Sequence, residues 1–277
     1  MDGIVLIEFM TNPPAMHTPR EVPDWFYWPL EMFQGLAWIY AYVALIRRAS
    51  VDKHVGMPLG ALALNFGWEL TYGFVLPTPE VQKWMLVAWF GLDVIILAQA
   101  LKYGRKEFPR IRPKLYTAVV LGLVGYATLF HVLLGREFAD FYGIYGAMGI
   151  NVFMSAAYIG LLRKRRSTKG QSMGVALSKL LGTFTVTIMF AGQFPDRWLL
   201  PFFGFTILVL DLTYMTLLRR QFLAEGRRPW SGKLVAGPAA GPAAGPVAGT
   251  GPAPAAEPVR ENPPVPAGAH SPRSSHV

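Results

Sequence analysis

The chain has 277 residues, 26 Lys and Arg against 17 Asp and Glu for a net charge of +9, an apolar share of 52% and no cysteine. Only 16% of the residues are charged, against about 25% in an average soluble domain; long apolar runs account for the shortfall and exclude a single soluble globular domain. The lack of cysteine excludes disulfides, thiolate catalysis and Cys-ligated zinc or iron–sulfur centres.

From the N-terminus, Met1–Arg20 does not read as a signal peptide, because Asp2 stands where a basic region belongs and Glu8 breaks the apolar run. Residues 1–28 are expected to be an extracytoplasmic segment ending in an interfacial aromatic belt, Asp24-Trp25-Phe26-Tyr27-Trp28-Pro29. A membrane-spanning helix needs about 17–25 mostly apolar residues. Seven stretches qualify, at 29–46, 57–76, 84–101, 114–134, 141–162, 173–194 and 198–218. Their short connections imply antiparallel neighbours. The predicted fold is therefore all-α, an integral membrane bundle of seven transmembrane helices over residues 29–222.

Charge placement sets the expected orientation. Nineteen basic residues follow spans 1, 3, 5 and 7 (Arg47 to Lys53, Lys102 to Lys114, Arg163 to Lys169, Arg219 to Lys233), and four lie at the opposite ends: Arg20, Lys83, Arg136 and Arg197. Basic residues collect on cytoplasmic loops, so the N-terminus is expected outside the cell membrane and the C-terminus in the cytoplasm. The positive charge is thus a topology signal, and no nucleic-acid partner is implied. After Lys233 the composition turns to Ala, Gly and Pro, with a four-residue repeat over Ala236–Thr250. Such a segment cannot bury a core, and residues 223–277 are expected to form a disordered cytoplasmic tail.

A shift of 116 residues aligns Arg47 with Arg163, Met57 with Met173, Pro79 with Pro195 and Glu80 with Asp196. Two more residues of slip set Asp93 on Asp211. Spans 1–3 and 5–7 share orientation, which is the pattern of a parallel 3+1+3 repeat. Small sugar transporters use such a layout, so a small-solute transporter is the alternative reading.

Ionisable groups inside a bilayer cost about 2.5–3.5 kcal/mol each on insertion scales and usually mark function. Three carboxylates lie deep: Glu69 in span 2, Asp93 in span 3 and Asp211 in span 7. Asn65 and Tyr72 share the helix face of Glu69, with Trp68 beside it, and Tyr214 shares that of Asp211. Lys179 in span 6 either snorkels to the cytoplasmic end or pairs with Asp93 or Asp211 as a helix pin. His131 is expected at the membrane interface, and no metal site is implied.

A carboxyl held out of water favours its neutral form, and a neutral carboxylic acid is a proton donor. Aromatic faces stabilise cations. Acid, aromatic lining and excluded water suit protonation of an alkene or epoxide and steering of the resulting carbocation. The chain has no DDxxD or NDxxD diphosphate–metal motif, no DxDD motif, and no P-loop, GxGxxG, HExxH or GxSxG.

Asn65-x-x-Trp68-Glu69-x-x-Tyr72-Gly73 in span 2, Leu92-Asp93 in span 3 and Asp211-x-x-Tyr214 in span 7, on seven short-looped spans, resemble the small membrane-bound terpene cyclases of fungal meroterpenoid and indole-diterpene pathways and their bacterial counterparts. The resemblance covers about residues 20–222. It implies Glu69 and Asp211 as the acid/base pair, with Asp93, Asn65, Trp68, Tyr72 and Tyr214 in support. It also implies a lipophilic prenylated substrate taken from membrane lipid, of the farnesylated indole type, and no metal or organic cofactor. The cysteine-free chain and its tail favour the bacterial branch.

Overall fold

The computed structural model describes residues 19–76, 80–140 and 142–235. The expected N-terminal segment up to Thr18, Pro79 of the repeat and the Ala/Gly/Pro tail from Ala236 lie outside the described residues. Among the described residues seven α-helices succeed one another: α1 Asp24–Asp52, α2 Leu59–Leu70, α3 Glu80–Tyr103, α4 Pro113–Glu137, α5 Ile144–Arg165, α6 Met173–Gln193 and α7 Leu199–Ala224. Six of them, all but α2, are long and apolar enough to cross a membrane. The chain is thus an all-helical, multi-pass membrane protein.

The helix starts obey local chemistry. Pro23 precedes α1, Pro58 precedes α2 and Pro113 opens α4, positions where a missing N–H costs nothing. Ser172 caps α6 by accepting from Gly174 N at 3.2 Å. The expected belt belongs to α1: the helix starts at Asp24, and Pro29 lies within its second turn. Trp25 is 77% exposed and Trp28 41%, as suits a boundary between lipid and water.

The stretch expected as span 2 is divided. After twelve α-helical residues the chain widens into a π turn over Thr71–Val75, closed by Leu76 N donating to Thr71 O at 2.8 Å. Such a turn inserts one residue into the hydrogen-bond ladder and rotates the chain beyond it. Helix α2 is the inner element, packed against α3, α4 and α5, while α1 lies along α6, and α7 packs on both α5 and α6. Close approach to α4 depends on Gly67. A Cβ there would stand 2.7 Å from Thr128 N and 2.8 Å from the Ala127 carbonyl carbon, which are backbone atoms that cannot move aside.

Candidate active site

Four side chains from three helices form one buried network. Asn65 and Glu69 lie one turn apart on α2, so both face α1 and α3. Tyr42 of α1 donates its hydroxyl to Glu69 Oε1 at 2.7 Å. Asn65 Nδ2 lies 2.7 Å from the Tyr42 hydroxyl, 2.9 Å from Glu69 Oε1 and 2.9 Å from Asp93 Oδ2 of α3. An amide nitrogen has two hydrogens, so it serves two of these three acceptors at a time. Glu69 Oε2 and Asp93 Oδ1 are buried and take no hydrogen bond from any other group. Glu69 is 1% exposed and Asp93 fully buried. Among the described ion pairs, none brings a Lys, Arg or His to either carboxyl. Two carboxyls are thus gathered on one amide without a cation, the arrangement in which such groups can share a proton.

Glu69, Asn65 and Tyr42 form the floor of a cavity of about 330 Å³. Its walls are aromatic and aliphatic: Trp38, Trp68, Trp89, Met85, Phe190 and Phe194 take part. The remaining lining comes from Pro19 and the start of α1, Gln82 near the start of α3, the α4–α5 connection, the first two turns of α5 and the end of α6, so the cavity opens at the end of the bundle that carries the α1 N-terminus. Arg20 N donates to Gln193 O at 2.8 Å and ties the segment before α1 to this rim.

Trp68 is fixed from the far side. Its Nε1 donates to Gly143 O at 2.9 Å, and its ring meets Tyr72 at 5.6 Å between centroids. Gly143 has φ +68, and a Cβ there would stand 2.7 Å from Trp68 Nε1 and 2.8 Å from the Tyr72 ring, so both backbone conformation and space require glycine. Asp140 holds this turn by accepting from Ile144 N and Gly146 N, each at 2.8 Å. Burial pushes the Asp140 carboxyl above its usual range, and the N–H groups of Gly146, Tyr145 and Ile144 pull it back.

Asp211 belongs to a second network, on α5, α6 and α7. Lys179 Nζ lies 3.0 and 2.9 Å from the two Asp211 oxygens and donates to Ser155 Oγ at 2.8 Å. Lys179 is 4% exposed, so it does not snorkel; of the two partners expected for it, it takes Asp211. Tyr214 donates its hydroxyl to Gln171 Oε1 at 2.8 Å and lies 5.2 Å from the Tyr158 ring. The structure thus brings Glu69, Asp93, Asn65 and Trp68 together and sets Tyr72 behind Trp68, while Asp211 and Tyr214 stand apart and do not line the cavity. His131, expected at the interface, is fully buried, with Gly146 of α5 against its ring.

Sequence reasoning missed Tyr42, Trp38, Gln34 and Glu31. All four line the cavity at spacings of three, four and four residues along α1, which is one helix face. That periodicity was the signal that could have found them. Among the described residues, no group of three His, Cys, Asp or Glu side chains is arranged to hold a metal ion.

The family model of the Pyr4-like transmembrane terpene cyclases matches residues 7–220. The chain is similar to the Pyr4-family terpene cyclase mfmH of Annulohypoxylon moriforme, with 28% identity over 194 residues, covering 65% of this chain and 80% of that protein. It is 27% identical over 221 residues to terpene cyclase esdpB of Penicillium shearii, covering 75% and 88%. With terpene cyclase cle7 of Aspergillus versicolor it shares 30% identity over 198 residues, covering 65% and 81%. No solved structure matches the chain. With its all-helical membrane bundle and this match over most of its length, the chain belongs to the Pyr4-like transmembrane terpene cyclases.

Proposed function

We propose that this membrane terpene cyclase starts its reaction by protonation, acting on the terminal alkene or epoxide of a prenylated substrate of the farnesylated indole type. The observation that carries this reading is the pair of carboxyls Glu69 and Asp93 held on the Asn65 amide, with Glu69 at the floor of an aromatic cavity and no cation in the described ion pairs of either. Glu69 lines the cavity and is the donor. Its proton passes to the CH carbon of the terminal alkene, the π pair forms the new C–H bond, and the cation is left on the tertiary, dimethyl-bearing carbon; with an epoxide the proton passes to the oxygen and the C–O bond to that tertiary carbon breaks. Alkenes of the folded chain then attack in turn, each closing a ring and moving the cation along. Trp38, Trp68, Trp89 and Tyr42 offer π faces that stabilise the positive charge, and the walls hold the chain in its reactive fold. Loss of a proton from the last cation to the carboxylate pair gives the product alkene. Proton exchange between Asp93 and Glu69 then restores the acid, so the reaction is a net isomerisation.

Geometry favours Asp93 as the partner of Glu69, because both sit on the Asn65 amide. Asp211, the partner implied by the resemblance, acts in this reading as a positioning residue through Lys179. Helix α2 with its π turn comprises seventeen residues, Leu59–Val75, and we take it as the seventh crossing, at the lower bound of about 17 residues for a span. A parallel 3+1+3 arrangement is supported by matching neighbours: α3 packs on α1 and α2 as α7 packs on α5 and α6. The basic residues argue for the N-terminus outside, which puts the cavity mouth on that side. The family match does not favour the transporter reading.

The test is Glu69→Gln. The amide keeps the shape but carries no acid proton. General acid–base catalysis contributes about 10²–10⁴-fold, and for an initiating proton the loss falls at the upper end, with expression and folding close to wild type. Membranes carrying the variant, supplied with a farnesylated indole and analysed for cyclised product, give the answer. Turnover above about a tenth of wild type is too high for loss of the initiating acid and removes Glu69 from that role.

A further inference from the structure

The cavity has a second polar station at its open end. Glu31 and Gln34 lie one turn apart in the first half of α1, each 5% exposed, and both line the same cavity as Glu69. Gln34 Nε2 donates to Glu31 Oε2 at 3.2 Å. A carboxylate has about four acceptor sites, and Gln34 fills one. A carboxylate in an apolar helix is costly, and this one lies against empty space and takes part in none of the described ion pairs. No Lys, Arg or His lies among the described lining residues.

We propose that Glu31 and Gln34 form a head-group subsite that accepts a hydrogen bond from a neutral N–H or O–H on the aromatic head of the prenylated substrate, and so hangs the prenyl tail toward Glu69. This inference rests on the proposed cyclase reading and deepens it. The acceptor character selects a donor head. The lack of a lining cation rejects a diphosphate or carboxylate head, which would meet like charge without compensation. The distance fits as well. Residues 31 and 42 are eleven apart on one helix, about 16 Å at 1.5 Å per residue, which leaves room for a folded prenyl chain together with its aromatic head. Between the two stations Trp38, Met85, Trp89 and Phe190 make most of the lining apolar and aromatic, with Asn151 of α5 a further polar lining residue. One end therefore recognises a polar head, the middle an isoprenoid, and the floor protonates the far terminus. The direction of binding sets which alkene meets the acid.

The experiment uses the full-length protein in nanodiscs with two probe pairs: a farnesylated indole with its N-methyl analogue, and a farnesylated phenol with its methyl ether. Each methylated partner lacks only the donor. Binding is read by tryptophan fluorescence on Glu69→Gln, independently of turnover, and kcat/KM is read on the wild type. We expect wild type to favour each donor compound by about 10²-fold, less than the 10⁴–10⁵-fold reached by enclosed polar sites, because this end is open. Glu31→Leu brings donor and methylated compounds within about 3-fold of each other, mainly by weakening the donor compound, since a missing hydrogen bond cannot be missed twice. Glu31→Gln keeps an acceptor and the fold, and gives an intermediate ratio. A preference confined to the indole or the phenol pair identifies the head and supports the subsite. Equal use of methylated and parent compounds by wild type, or an unchanged ratio in both Glu31 variants, overturns it. If no probe is cyclised yet binding to Glu69→Gln shows the Glu31-dependent preference, the subsite stands and the proposed reaction falls. If the preference is missing from binding as well, the subsite falls.

Discussion

The role of Asp211 is decided by treating it together with Lys179. The two are 2% and 4% exposed and joined through both carboxylate oxygens at 3.0 and 2.9 Å, with Ser155 as a further partner of the ammonium. Lys179→Met leaves Asp211 charged and buried alone, and Asp211→Asn leaves the ammonium so. Breaking a buried pair by removing one partner costs about 3–5 kcal/mol, whereas removing both charges is often close to neutral. For a chain of this size each kcal/mol shifts Tm by about 2–4 °C. The single variants should therefore melt roughly 10 °C below wild type, and Lys179→Met/Asp211→Asn should recover most of that loss. Thermal unfolding in detergent, monitored by fluorescence-detected size exclusion, reads the stability. Product formed per folded molecule from a farnesylated indole reads the chemistry. As a positioning pair, the double variant keeps turnover within about 10-fold of wild type, since general acid–base loss begins near 10²-fold. A double variant that is as stable as wild type yet loses about 10³-fold or more in turnover would refute this reasoning and make Asp211 the base. Single variants as stable as wild type would show that the ion pair holds nothing together.

Further outcomes test the surroundings of the site. Gly143→Ala forces a Cβ to within 2.7 Å of Trp68 Nε1 at a left-handed backbone position, and should cost about 1–3 kcal/mol together with turnover; a thermal shift assay showing no loss would mean that the α4–α5 turn yields easily. A reporter fused after Arg228 should be active in the cytoplasm, given nineteen basic residues at one set of span ends against four at the other. Activity on the outer side would show the opposite orientation, or a bundle in which α2 does not cross.

Much of the candidate site was legible because membrane burial makes polar residues conspicuous. Asn65, Glu69 and Asp93 stand out from apolar runs, and the four-residue spacing of the first two sets them on one face of α2. That Asp93 of α3 meets the same amide was not legible, because sequence gives depth along a helix but not the rotation of one helix against another. The same gap left Lys179 with two candidate partners. Glu31 and Gln34 fall near the start of a span, where polar residues usually mean contact with headgroups. Tyr42 is one aromatic among many, and in a chain with 13% aromatic residues it draws no notice until its neighbours are known. The π turn after Leu70 left no mark either: Thr71-Tyr72-Gly73-Phe74-Val75 continues an apolar helix as far as pattern goes, and the widening depends on tertiary packing.

The two buried networks solve the same problem in opposite ways, and the difference indicates where chemistry can occur. Asp211 is answered by the Lys179 ammonium held through both oxygens. Such a pair suits the holding of α6 against α7. Glu69 and Asp93 are answered by a phenol and an amide, which are neutral donors that hold a carboxyl in place without cancelling its charge. A pair so held keeps one proton in play between two oxygens that nothing else satisfies. It also lies against the aromatic cavity, whereas the ion pair does not. In the proposed reaction, a carbocation forming beside Glu69 leaves a carboxylate behind it, and that anion stays on the floor of the cavity as the rings close. The positive charge is then stabilised from below by the spent acid and from the sides by indole and phenol faces. A lysine at Asn65's place would quench the acid before the reaction began.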